Sequence, residues 1–340
     1  MKVLDKKKEK NFWKGLGKPF FVLAPMANVT DYAFRQMIAK YGKPDVMWTE
    51  FVSADGLMSK GRKQLLHNLE FSKKEKPIVA QLFTGHPEVM KGTAELVSKL
   101  GFDGLDLNMG CPDRAVLKQG GGSSLIKNSK IALEVLKMAR EGSSIPISVK
   151  TRIGYTKIDL DWIRLLLEQK LPALTVHLRT TKELSLVKAH WDVMPEIIKM
   201  RNEISPETLI IGNGDVNSLE MAQEMVRKYG CDGVMIGRGI FGRPWFFSKD
   251  PKFSEITDFS SEKTPTKQVR LKIMVEHTKL FEKTFKKGSV KMKNFDVMKK
   301  HFKAYVSGWD GAKELRVELM NCKNSKEVEK VVKEYLKLEK

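Results

Sequence analysis

The stretch GLDLNMGCPDRAVLKQGGGSSLIKNSKIALEVLKMAREGSSIPISVKTR, residues 104–152, decides the architecture. Residues 104–108 and 147–151 are short runs of strand character, and residues 131–140 between them carry helical periodicity. Strand, helix and strand in succession make one βα unit with a parallel return. The same alternation runs outward in both directions, from residue 20 to about residue 247. Further strand-like runs fall at 20–24, 46–50, 78–83, 173–177, 209–212 and 233–237, and further helical segments at 31–41, 88–100, 160–170 and 219–229. Eight strands, each followed by a helix, predict an α/β fold of the (β/α)8 TIM-barrel type. A doubly wound sheet fits less well, because the first strand is not followed by the GxGxxG fingerprint.

Beyond the barrel, residues 248–265 are polar, hold two prolines and show no periodicity, which marks a linker. Helical patterns then recur at 269–285, 294–306, 312–320 and 325–338, the signature of a small C-terminal helical bundle. The expected organisation is a basic N-terminal segment (1–18), a catalytic barrel (19–247), the linker (248–265) and a helical domain (266–340). Charge follows this division. The 340 residues carry 61 Lys and Arg against 41 Asp and Glu, a net +20. Residues 1–18 contribute +5 and residues 251–340 contribute +9, leaving only +6 for the 232 residues between them. Such flanks attract a phosphate-rich polymer or an anionic surface; the plainer reading is a solvated lysine-rich face. No apolar run approaches the roughly 18 residues of a membrane span. The opening MKVLDKKKEK has no apolar stretch behind it, so no secretory signal is expected. Three scattered cysteines, Cys111, Cys231 and Cys322, give no disulfide framework and point to a reducing cytoplasm.

In such a barrel the chemistry sits at the C-terminal ends of the strands. Those ends read Ala24-Pro25-Met26, Glu50, Gln81, Asn108-Met109-Gly110-Cys111-Pro112, Lys150-Thr151-Arg152, His177, Asn213-Gly214-Asp215 and Gly237-Arg238-Gly239. The last two occupy the loops where barrels bind phosphate: glycine lets backbone N–H groups approach the oxygens, and Arg238 supplies charge. Lys150 is open to three readings: a Schiff-base nucleophile, a flavin or phosphate contact, or a core salt-bridge partner. His177 taken singly is more often a satisfied core histidine than a catalytic one. Cys111, in a loop fixed by Pro112 and exposed by Gly110, reads as functional; Cys231 and Cys322 read as inert core thiols. The run Gln119-Gly120-Gly121-Gly122-Ser123-Ser124 fits a phosphate cradle, a mobile lid or a plain loop. No metal site is expected.

Together these strand ends, with Leu23, Val149 and His177-Leu178-Arg179-Thr180, resemble the tRNA-dihydrouridine synthase family. The tail adds Lys300-His301, Tyr305, Gly308, Gly311-Ala312 and Leu315-Arg316, similar to that family's helical domain. The resemblance covers roughly residues 20–320, and the NxGCP element is its most specific part. It implies a cytoplasmic flavin-dependent oxidoreductase acting on CH–CH bonds. Such an enzyme holds FMN, is reduced by NADPH or NADH, and reduces the C5=C6 bond of particular uridines in tRNA. By motif, Cys111 would donate the proton to C5. Pro25, Met26, Ala27, Gln81, Lys150, His177, Asn213, Gly214, Asp215, Gly237 and Arg238 would hold the cofactor. Asn108 and Arg152 would read the uracil, and Lys300, His301 and Arg316 would meet the tRNA. A monomer without membrane or DNA partners is expected. Two departures stand out: Leu178 occupies a position where the family has glycine, and residues 183–190 lack the family's tyrosine-containing pattern although Trp191 remains. Three other readings compete: a small-molecule flavin reductase of dihydroorotate or enoate type, which has no need of a basic tail; a flavin-free barrel lyase using Lys150 as a Schiff base; and a tRNA-binding or folding factor whose catalysis is incidental.

Overall fold

The computed structural model describes residues 11–250, 253, 265–287 and 290–338. Among these residues eight parallel strands form one sheet: β1 Phe20–Leu23, β2 Met47–Ser53, β3 Ile78–Phe83, β4 Gly104–Met109, β5 Ile147–Arg152, β6 Ala173–His177, β7 Leu209–Asn213 and β8 Gly233–Ile236. Strands β2 to β8 pair in sequence order, and β1 pairs with β8. The ring closes at Val46, whose carbonyl accepts from Leu23 N–H at 3.1 Å. Side chains of β3 and β4 are buried on both faces, as a helix-covered parallel sheet requires.

The barrel floor is closed by the chain's own start. Asn11 caps the 3-10 turn Phe12–Gly15, and Trp13 enters the barrel 5.8 Å from Trp48 and 6.4 Å from Phe20, ring centre to ring centre. Lys14 and Lys18 lie at the floor, with Lys18 paired to Asp232 at 2.6 Å, whereas the strand C-termini open at the opposite end. Residues 1–10 lie outside the described residues.

The helix ring also departs from eight full repeats. After β2 come two four-residue helices, Ala54–Leu57 and Arg62–Leu65, and β8 is followed by the 3-10 turn Arg238–Ile240. The helix Met194–Ile204 between β6 and β7 escapes the sequence reading; Pro195 opens it, and Met194, Ile197 and Met200 form its buried stripe. The tail helices, Lys267–Phe285, Val297–Tyr305, Ala312–Asn321 and Ser325–Leu338, match the periodicity closely.

The first tail helix packs along the barrel helix Tyr32–Tyr41. Phe34 stacks on His277 at 5.0 Å and meets His301 at 4.8 Å, Tyr41 Oη donates to Glu276 at 2.6 Å, and Tyr305 lies against Trp245. Barrel and tail thus share one continuous apolar core. Lys293 Nζ reaches Glu50, within β2, at 2.6 Å, with both side chains buried; Glu50 also accepts from the N–H of Asn28, past the end of β1, and Phe241, past the end of β8, lies 6.3 Å from His301. The tail is therefore docked on the end of the barrel that carries the strand C-termini. Most of the expected linker lies outside the described residues, but Phe253 packs edge-on against Tyr41.

Phe34→Ala should cost about 3–5 kcal/mol, the usual range for deleting a buried ring. A lowered urea midpoint, with earlier proteolytic cleavage in the tail helices than in the barrel, is the expected outcome.

Candidate active site

Strand register brings the polar strand ends to one place. Gln81 sits opposite Asp106, Asn108 opposite Lys150, and Arg152, His177 and Asn213 follow across β5, β6 and β7. Above them opens a cavity of about 650 Å³, within the usual range for a cofactor site. Its walls come from Pro25 and Met26 after β1, Pro112 beside Cys111, Lys150 and Arg152 of β5, His177 of β6, and Arg179 just past it. The remainder is built by Leu184 and Ser185, Asn213–Asn217, and Gly237–Gly239.

Beneath the cavity runs a chain of buried hydrogen bonds. Asp106 accepts from Ser148 Oγ at 2.5 Å and from Gln81 Nε2 at 2.6 Å. Gln81 Oε1 accepts from Asn108 Nδ2 at 3.1 Å. Asn108 Oδ1 in turn accepts the backbone N–H groups of Gly110 and Cys111 at 3.1 and 2.9 Å. The chain caps the turn that carries Cys111. Burial pushes the Asp106 carboxyl up to about 6, against its bonds from Gln81 and Ser148 and the charge of Lys150. Burial, then the Arg152 charge, lowers Lys150 to about 8. The Cys111 thiol is pushed up from 9.0, chiefly by burial.

The glycine run 120–122 supports the same turn. Ser123 N–H donates to Cys111 O at 3.0 Å, and Gly122, at φ +59°, leaves no room for a Cβ, which would come within 2.5 Å of that carbonyl. Of the three readings of this run, the structure fits a packed loop.

The opposite wall is cationic. Burial, followed by the charges of Lys150, Arg152, Arg179 and Arg238, drives the His177 imidazole well below its ordinary value, so it is neutral. Asp215 is the one carboxylate among the lining residues. It takes hydrogen bonds from Arg179, from Ala189 N–H at 2.9 Å and from Arg238 at 3.0 Å. Burial alone would raise its pKa, but these partners hold it below the usual carboxylate range. Two guanidinium groups, Arg179 and Arg238, are thus held at this wall by one carboxylate.

Of the residues singled out by motif, the cavity is lined by Pro25, Met26, Lys150, Arg152, His177, Asn213, Gly214, Asp215, Gly237 and Arg238. Several others lie elsewhere. Ala27 is exposed and outside the walls. Gln81 lies beneath the floor, its amide bonded to Asp106 and Asn108, and Asn108 caps the Cys111 turn through its oxygen while spending one of its two amide N–H groups on Gln81. Arg152, which does line the cavity, spends three contacts on the carbonyls of Gly110, Thr180 and Leu184. His301 is buried against Phe34, so it cannot meet a phosphate, and Arg316 donates to Val306 O at 2.8 Å. Lys300 is exposed. Asp106 lies outside the motifs, and Arg179 stands within one that gives it no role. Asp106 carries a signal, a carboxylate in a strand two residues before Asn108, whereas the Arg179–Asp215 pair joins residues 36 positions apart.

The family model described as Dihydrouridine synthase (Dus) matches residues 22–340. A "Probable tRNA-dihydrouridine synthase" of Staphylococcus aureus (strain COL) is 40% identical over 330 residues, covering 96% of both chains. "Probable tRNA-dihydrouridine synthase 2" of Bacillus subtilis (strain 168) is 39% identical over 328 residues, again covering 96% of both. Among solved structures, morphinone reductase overlaps 69% of this chain and 86% of its own at 12% identity, with a TM-score of 0.49.

Because burial holds the Cys111 thiol protonated, iodoacetamide should label it slowly at pH 8, with the rate climbing only as pH passes above 9. Peptide mass spectrometry reads this against the urea-unfolded chain, which should label readily at pH 8. Asn108→Ala strands two backbone donors, a loss of about 1–3 kcal/mol, and should speed labelling of the folded protein.

Proposed function

The chain belongs to the dihydrouridine synthase family, and from that premise we propose that it reduces uridines in tRNA to 5,6-dihydrouridine, using FMN and NADPH. The observation that carries the proposal is the capped Cys111 turn beside a cationic cavity: an acid and an anion-binding cofactor site on one barrel face. Reduction of the uracil C5=C6 bond needs a hydride that no side chain supplies, and FMN reduced by NADPH provides it.

The residues present fit that cofactor. Asn213, Gly214, Asp215, Gly237 and Arg238 would hold its phosphate, since Arg238 is exposed towards the cavity and oriented by Asp215. Lys150 and neutral His177 would meet the ring, with Lys150 offering positive charge to an anionic reduced form. Pro25 and Met26 would flank it, and Gln81 would act from below by holding Asn108. Cys111, protonated at neutral pH, gives its proton to C5 of the uracil. Arg152 fixes the Gly110 carbonyl at 2.9 Å and so steadies the turn from its other side.

A uridine in folded tRNA must turn out of its stack to enter the cavity, at about a few kcal/mol. Phosphate contacts along the tail offset that cost. Exposed Lys300 and Lys303, on the tail helix Val297–Tyr305 that packs against the barrel, suit this role.

Purified protein should be yellow, release FMN on denaturation, and form dihydrouridine in a tRNA transcript when given NADPH. Cys111→Ala should keep flavin reduction by NADPH but lose roughly 10²-fold in turnover on tRNA, the scale of a lost general acid. A colourless protein, or wild-type turnover in Cys111→Ala, would contradict the respective assignment. Reversing Lys300 and Lys303 to Glu should flatten the slope of log K against log salt by about 0.7–0.9 per lost contact and leave flavin content unchanged.

A further inference from the structure

The loop after β6 is the divergent segment of the sequence, and the function above leaves its tip unused. Leu184, Leu186 and Val187 there are exposed by 45%, 83% and 42%. A single exposed leucine is ordinary; three apolar side chains within four positions at the mouth of a polar cavity are not. Leu184 and Ser185 are themselves part of the cavity wall.

The loop is held, not loose. Leu184 has φ +51°, a left-handed conformation unfavourable for leucine that persists only where surroundings enforce it. Two buried guanidinium groups enforce it. Arg152 donates to Thr180 O at 2.8 Å and Leu184 O at 3.1 Å, and Arg179 donates to Val187 O at 2.7 Å. Glu183 ties the stem further, accepting from Thr180 N–H at 2.7 Å and lying 2.9 Å from His190. Leu186 stands at the tip between these anchors, and exposed Lys182 and Lys188 flank it.

We infer that Leu186 is a wedge for the RNA substrate: it enters the base stack in the space left by the uridine that turns into the cavity, with Lys182 and Lys188 against the neighbouring phosphates. This rests on the proposed function and narrows its substrate to RNA whose uridine is stacked. A base leaving its stack opens a gap, and an apolar side chain that fills it recovers the lost contact area. Leucine has no hydrogen-bonding group, so it fills the gap without reading a base. The arginines that pin the loop also line the cavity, so wedge and pocket form one rigid unit and little loop entropy is lost on binding.

The test compares wild type, Leu186→Ser and Leu186→Met, all loaded with flavin, on a folded tRNA transcript and on a short unstructured oligonucleotide carrying the same uridine. Leu186→Ser should lower kcat/KM on folded tRNA about tenfold or more and leave the oligonucleotide rate unchanged, with Leu186→Met restoring the tRNA rate. Flavin content and RNA-free flavin reduction should not move. As an independent readout, 2-aminopurine placed next to the mapped uridine should brighten on binding wild type and stay quenched with Leu186→Ser. Equal loss on both RNAs would make Leu186 a wall of the pocket and overturn the wedge, as would no loss on either. Sedimentation showing a wild-type dimer that Leu186→Ser dissociates, with tRNA turnover unchanged, would assign the tip to self-association instead. Absence of dihydrouridine from both RNAs with wild type would defeat the proposed function itself, and the wedge with it.

Discussion

A carboxylate inside a barrel must be fully partnered, and Asp106 is the group on which the arrangement of the site depends. Its two oxygens take Ser148 and Gln81, which turns the Gln81 amide so that its oxygen faces Asn108. Asn108 is then left with its own oxygen for the N–H groups of Gly110 and Cys111. Each amide has one donor end and one acceptor end, so the orientation set at Asp106 passes unchanged to the cysteine turn. Lys150, opposite Asn108 in register, balances the charge and faces the cavity.

The opposite wall solves the converse problem. Lys150, Arg152, Arg179 and Arg238 crowd one cavity, and like charges at such range repel. Asp215 binds two of the guanidinium groups, Arg152 is spread over three carbonyls, and His177 gives up its proton. What remains is an electropositive space with few freely moving parts, which is what an anionic cofactor needs from a preorganised site.

The tail is built into the same body. Phe34, His277 and His301 form one buried aromatic group across the boundary, and the Lys293–Glu50 pair joins the tail to β2. A basic surface on the tail is thereby held in fixed relation to the barrel mouth. The histidine that motif reading places on the RNA is instead part of the packing that holds the surface there.

Periodicity by itself determined the eight strands and the four tail helices, because apolar spacing records which face of each element is buried. It also determined which strand ends carry polar groups, since polar residues closing apolar runs stand out along the chain. The cysteine turn and the phosphate-type loops were legible for the same reason: glycine, proline and a reactive side chain lie adjacent in sequence. Only the tertiary structure decided how those groups are spent. Register ties Gln81 and Asn108 into one hydrogen-bonded chain with Asp106, and His301 looks exposed until Phe34 closes over it. Arg179 finds Asp215 across 36 positions, and Trp13 finds the barrel floor, through contacts that no local pattern records. Local spacing reports burial and polarity, whereas the partner of a buried polar group is chosen by the fold.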